Sequence, residues 1–376
     1  MKKKILAVTN TLNPNKSTGK FWTHLLKKFN QNEIDLIPIR DSNIKIPLIF
    51  KLLHLKDFYL SYKKLNKLNL DSYSLIFNDL GSADWLIIFR FKEIKKNNIK
   101  IINLVRSSAW NYFDGYSKNL SLKIFFKIIF IYLIYILFKE RIVSRRADKI
   151  ITVSEFSKKN LLKNRINKNK IRVIENAIET NLFKPMDKQL ARKKLNLTNN
   201  KFYLIFVGRF TEDKGKKIIL KIMFKLRQYK DIELLIIDDN KEKVNSNLNI
   251  NYVGFQENKL LPLWLNSADI FLFPTLYEGD SLACLEAASC GKCLISSYTG
   301  GLFSLKKNKI LSECIIPIEN SNNLVKNYVK KILELYKDRN NLEKISCEWK
   351  KWGRKKDINE NMNLYYNILK NEENIK

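Results

Sequence analysis

Two stretches hold residues whose types and spacing suit chemistry. Residues 271–301, FLFPTLYEGDSLACLEAASCGKCLISSYTGG, set Glu278 on a loop and Glu286 eight positions later. An apolar run stops at Pro274, which has no ladder donor, so a strand ends there. Asp280 or Ser281 suits the N-cap of a following helix, and Gly291 suits the position just past its end. Eight helical residues span ~12 Å, and the loop before them keeps the two carboxylates far apart. That is too far for an acid/base pair flanking one glycosidic bond. A carboxylate near a helix start and another further along suit two parts of a long ligand, with the first-turn N–H groups facing an anion. A nucleotide sugar fits that description; a solvated loop glutamate and a surface helix glutamate are the alternative.

The second stretch is residues 202–215, FYLIFVGRFTEDKG. An apolar strand ends in Gly208-Arg209, and Lys214-Gly215 opens the next helix. Two cations about one helical turn apart, beside a helix N-terminus, make a place for a diphosphate. Arginine offers paired donors to phosphate oxygens, and lysine a compact charge. The alternative is two loop residues among the 69 basic ones.

These stretches need a scaffold, and 376 residues suffice for two domains with sizeable cores. Apolar content of 45% excludes a disordered chain. Lys plus Arg exceed Asp plus Glu by 69 − 37 = 32. The excess favours anionic partners: nucleic acid, lipid headgroups or phosphorylated substrates. It also follows from a chain-wide richness in Lys, Asn and Ile. The five cysteines all lie beyond residue 283, unevenly spaced, which is no disulfide framework. Cys290 and Cys293 have redox-motif spacing without further metal ligands nearby, and the chain has only His24 and His54. The N-terminal MKKKILAV breaks at Thr9-Asn10, far short of a signal-peptide core, so a cytosolic setting is expected.

Strands are predicted at 5–8, 34–38, 74–77, 99–105 and 149–153, alternating with helices from about Phe21 and over 46–68 and 83–96. In the second half they recur at 172–174, 202–207, 232–237, 251–253 and 271–273. Such alternation argues parallel sheets covered on both faces. Gly19 lies in a polar loop, 9–20, and no GxGxxG fingerprint is present. Residues 128–138 carry no charge, but a bilayer span needs ~20 residues. As one helix, 123–145 brings Lys123, Lys127, Arg141 and Arg145 within roughly 40° of one another. A basic stripe beside large apolar residues suits an anionic membrane surface over 120–145; a buried helix with charged ends is the other reading. Ser154 is placed to cap a helix beginning near Glu155.

The pattern Glu278-Gly279, Glu286-Ala287, Gly291, Gly300-Gly301 resembles the signature of retaining glycosyltransferases of family 4, which have the GT-B fold. Gly208-Arg209, Lys214-Gly215, Asn176 and Ser154 match the same family, so the resemblance covers most of the chain, strongly in its second half. It implies an α/β chain of two Rossmann-like, doubly wound parallel-sheet domains facing across a cleft. Residues 1–172 would form an acceptor-side domain and 173–354 a nucleotide-sugar-binding domain, with 355–376 packing back on the first. The implied reaction moves a sugar, of hexosyl type, from a nucleotide-sugar donor to a saccharide or lipid-linked saccharide with retention, without a metal or other cofactor. Arg209 and Lys214 would stabilise the departing diphosphate. Glu278 would contact the donor sugar and Glu286 the ribose, with Gly19, Gly208, Asp280, Ser281 and Leu282 completing the donor site. Arg106 stands where the family often has a histidine, as an acceptor or phosphate contact or else a surface arginine. The setting expected is cytoplasmic, peripheral at the inner face of the membrane, in surface polysaccharide or glycolipid assembly. Rival readings are a GT-B epimerase or phosphorylase, and a basic nucleic-acid-binding protein with steeply salt-dependent binding.

Overall fold

The computed structural model describes residues 3–13, 17–41, 56–79, 81–106, 139–238 and 248–374. The described residues up to Glu175, together with those from Asn359 onward, form one compact unit, and Asn176–Ile358 form the other.

The first unit is built on β1 (Lys4–Thr9), β2 (Ile34–Pro38), β3 (Tyr73–Asp79), β4 (Lys100–Val105), β5 (Lys149–Thr152) and β6 (Ile171–Val173). Their order is β2-β1-β3-β4-β5-β6, and every neighbouring pair is parallel. Runs such as KILAVT and KIINLV are buried at all positions after the first, as strands covered on both faces must be. The predicted strands fall where expected to within two residues.

Helix bounds differ more. The first helix is Ser17–Leu26, so Gly19 lies inside its first turn and not in a loop. The reason is its buried stripe, Thr18, Phe21, Trp22 and Leu25, whose i, i+3, i+4, i+7 spacing begins before Phe21. The helix expected over 83–96 is two, Asp84–Phe89 and Phe91–Lys96. Arg90 at the break turns its guanidinium onto the carbonyls of Leu65 and Leu68 and pairs with Glu93. Of the expected 46–68 helix, Lys56–Leu65 is helical, while 46–55 lie outside the described residues. So do 120–138, with Lys123 and Lys127; residues 139–146 are helical. Among the described residues no helix is long and apolar enough to cross a membrane. Ser154 caps the Glu155–Lys163 helix by accepting the Ser157 N–H at 3.2 Å. The final helix, Ile358–Asn374, packs into this unit through Tyr365, edge-on to Phe21 at 4.9 Å, and through Lys370, 2.7 Å from Glu33.

The second unit carries β7 (Phe202–Val207), β8 (Ile232–Ile237), β9 (Ile250–Tyr252), β10 (Ile270–Phe273), β11 (Cys293–Ser297) and β12 (Ile315–Ile316). The order is β12-β11-β10-β7-β8-β9, again all parallel. Its core joins β7, β8, β10 and β11 to apolar positions of the helices Lys216–Leu226, Leu282–Ser289, Ser321–Lys337 and Arg339–Arg354.

Candidate functional site

Strand order in the second sheet reverses between β7 and β10. Loops leaving the carboxyl ends of two such strands diverge, and open parallel sheets bind ligands in the crevice this leaves. The two loops are the two stretches singled out by their chemistry.

After β7, Gly208 adopts φ 135°, and nothing lies within 4 Å of the Cβ position it lacks. Its backbone is therefore open to close approach. Arg209 follows, 66% exposed, with its guanidinium 3.5 Å from Asp213. A single 3-10 turn, Glu212–Lys214, leads to Gly215, whose φ of 91° swings the chain into the Lys216–Leu226 helix. A Cβ on Gly215 would stand 2.2 Å from the Pro274 carbonyl oxygen, so the two loops touch backbone to backbone. They are also stitched: the Leu276 N–H and the Thr275 hydroxyl both donate to the Asp213 carbonyl, at 2.9 and 3.2 Å. Across this seam the Lys214 ammonium pairs with the Glu278 carboxylate at 2.6 Å, the side chains only 15% and 23% exposed.

Beyond Glu278 the chain enters the Leu282–Ser289 helix. Ser281 is the N-cap, accepting from the Cys284 N–H at 3.3 Å, and Gly291 at φ 75° ends the helix. The amides of Leu282 and Ala283, in the first turn, have no intrahelical acceptor. Asp280 has an anchoring role: its carboxylate accepts the Asn176 N–H at 2.7 Å, and its carbonyl accepts the Asn176 side-chain amide at 2.8 Å. A small pocket at this helix start, with enclosed room for about one water molecule, is bounded by Glu278, Asp280, Ser281, Cys284, Thr299 and Trp352 among others. Burial pushes the Cys284 thiol up to about 12, so it stays protonated and is no nucleophile. Glu286, one turn further on, is 6% exposed and does not border this pocket.

The structure thus brings together Gly208, Arg209, Lys214, Glu278, Asp280, Ser281 and Leu282 on two adjoining loops and one helix start, with Glu286 within that helix. Gly19 and Arg106 belong to the first unit. Gly19 lets the Leu12–Asn13 backbone press on its helix, a Cβ there falling 2.0 Å from the Asn13 oxygen. The Arg106 Nε lies 3.0 Å from a carboxylate oxygen of Asp79, which is fully buried at the end of β3. Thr9 and the Trp22 indole N–H donate to the other oxygen at 3.1 and 2.8 Å, and Phe21 lies under the guanidinium at 4.5 Å. Burial opposes the arginine charge most strongly, yet Asp79's field and hydrogen bond outweigh it, and the pKa is raised. Sequence reasoning missed Asp79 and Trp352. The signal for the first was the polar Asn78-Asp79 pair closing an apolar strand; Trp352 reaches the pocket from far along the chain.

Residues 187–349 match the family model of group 1 glycosyl transferases, and residues 84–182 that of glycosyltransferase family 4. An uncharacterized glycosyltransferase of Methanocaldococcus jannaschii is 23% identical over 352 residues, 87% of this chain and 83% of that protein. An uncharacterized 41.2 kDa protein in the cps region of Klebsiella pneumoniae is 26% identical over 241 residues; the match spans 63% of each, less than two thirds of that relative. Among solved structures, Anabaena HepE in complex with UDP superposes with a TM-score of 0.72 at 15% identity, covering 98% of this chain and 100% of that one. Sucrose-phosphate synthase from Thermosynechococcus elongatus gives 0.71 at 17% identity, covering 98% and 99%. Two stretches of the chain, residues 84–182 and 187–349, are thus similar to the family 4 and group 1 glycosyltransferase models. The chain's two six-stranded parallel sheets are those of the GT-B fold.

Proposed function

We propose that the protein transfers a sugar from a nucleotide-sugar donor to a saccharide or lipid-linked saccharide, with retention of anomeric configuration, in surface polysaccharide or glycolipid assembly. The observation that carries this reading is the seam at the switch point, where Lys214 meets Glu278 beside the Ser281-capped helix start and Arg209 stands on the same loop as Lys214. Arg209 and Lys214 neutralise charge as it grows on the leaving diphosphate, so transition-state stabilisation comes from pre-placed cations and needs no metal. The first-turn amides at Leu282 add donors for a phosphate or a sugar oxygen. Glu278 accepts from sugar hydroxyls and Glu286 from the ribose. HepE has been solved with UDP-glucose, which supports a donor of this class. The net charge of +32 and the apolar 120–138 run support an acceptor at an anionic membrane surface on the cytoplasmic side.

The test is release of nucleoside diphosphate from UDP-, GDP- and ADP-sugars. One of these donors is expected to be turned over, and Lys214→Ala to slow turnover by about 10²–10³, the cost of losing one preorganised charge-stabilising donor. Turnover that survives Lys214→Ala undiminished contradicts the assignment.

A further inference from the structure

Three cations on the β7 loop and the helix it opens, Arg209, Lys214 and Lys217, each hold a carboxylate. Arg209 faces Asp213 at 3.5 Å, Lys217 faces Glu212 at 3.2 Å, and Lys214 faces Glu278 at 2.6 Å. In a chain with a net charge of +32, these three cations are paired. The first two pairs are solvated on at least one side, with Arg209 and Lys217 66% and 76% exposed, and such pairs are weak. The third is short, and both partners are mostly buried. Lys214 is held further by the Tyr277 carbonyl at 3.5 Å, and Glu278 extends from the loop that Pro274, Thr275 and Leu276 fix to the lysine's own turn.

Resting on the reading of this seam as the diphosphate site, we infer that Glu278 is an internal competitor of the diphosphate: it holds Lys214 in the empty site and yields it when a diphosphate arrives. An ammonium is a compact point charge, and a phosphate oxygen that takes it must displace the carboxylate or stand beside it. Standing beside it sets two anions against each other, so the ligand-bound state favours Glu278 turned away. The exchange links two events. The diphosphate of a donor frees Glu278 to accept from the sugar hydroxyls. Once the sugar has left, Glu278 loses those partners, returns to Lys214 and weakens the hold on the nucleoside diphosphate product. Glu278 thereby sets the affinity for product as well as touching the donor.

The test is calorimetric titration of the full chain with UDP, GDP, ADP and inorganic pyrophosphate at one ionic strength. The proteins are wild type, Glu278→Gln, Lys214→Met and the double variant. Glu278→Gln is expected to bind the preferred diphosphate, and pyrophosphate, roughly three- to tenfold more tightly than wild type, the strength of a partly buried pair. In the Lys214→Met background the same substitution is expected to change affinity by less than about twofold, because a cycle isolates the pair term. Equal or weaker binding by Glu278→Gln overturns the inference while leaving the site reading intact. Tightening of the same size without Lys214 also overturns it, since a general change in charge then explains the gain. Absence of binding by every protein overturns both. If thermal melting shows that Glu278→Gln is unfolded, Glu278→Ser removes the same carboxylate with less bulk and carries the same expectations.

Discussion

Lys292, partly buried with its ammonium 3.4 Å from the Asn266 and Ala268 carbonyls, shows how a single charge leaves a readable mark on stability. Burial pushes its ammonium down to about 8, a shift that Lys188 and Arg192 reinforce and Cys290 and Asp269 oppose. The unfolded lysine keeps its proton to about pH 10.4, so between about 8 and 10.4 the unfolded chain binds more protons and stability rises with pH. Below that window both states are charged and the folded state carries the full penalty. Lys292→Met is therefore expected to stabilise the protein by about 2 kcal/mol at pH 7, an advantage that shrinks as pH climbs through the window. Chemical denaturation at pH 7 and 10 checks it; an advantage that does not vary with pH assigns the effect elsewhere. Arg106 and Asp79 give the opposite case. Arg106→Met leaves a buried carboxylate with Thr9 and Trp22 as its remaining donors among the described residues, expected to cost about 3–5 kcal/mol, whereas Asp79→Leu with Arg106→Met is expected to cost less than either change alone. Thermal or urea denaturation of the three variants decides it. Lysines and arginines were visible in the sequence, but their partners were not. Asp79, 27 residues before Arg106, meets it only once β3 and β4 pair.

The two loops that make the site depend on one glycine. Gly215 combines φ 91° with a Pro274 carbonyl where its Cβ would go, so Gly215→Ala meets both backbone strain and overpacking. A loss of about 2–4 kcal/mol is expected, with weakened binding of any diphosphate as the Asp213–Thr275–Leu276 stitches open. Gly208→Ala has the strain alone, since its Cβ would stand in open space, and is expected to cost about 1–2 kcal/mol. If the two variants melt alike, the seam does not hold the loops. Elements of this kind were largely legible. Apolar runs ending in Gly208 and Pro274 marked β7 and β10, and Ser281 and Gly291 marked the caps of the helix between the glutamates. Illegible were elements whose signal is tertiary: the two-residue β12, and the break at Arg90, where three carbonyls of another segment draw the guanidinium out of an otherwise helical pattern.

Two parallel sheets of six strands were foreseeable as a class because helices and short apolar strands alternate throughout. Strand order was not foreseeable, and the order is what gives the site its meaning: β7 and β10, more than 60 residues apart, are neighbours at the reversal. Lys214 and Glu278 come together only through that pairing, with Arg209 on the same loop as Lys214. On the proposed reading this site holds a nucleotide sugar, with Glu286 in the helix gripping its nucleoside. The direct measurement is thermal unfolding of the full chain with UDP-, GDP- and ADP-sugars, repeated with Glu286→Ala. At a hundred times Kd, one donor is expected to stabilise wild type by about 2.7 kcal/mol, raising the Tm of the 376-residue chain by roughly 3–4 °C, and the rise should largely vanish in Glu286→Ala. No rise with any donor, or a rise of the same size in Glu286→Ala, contradicts the account.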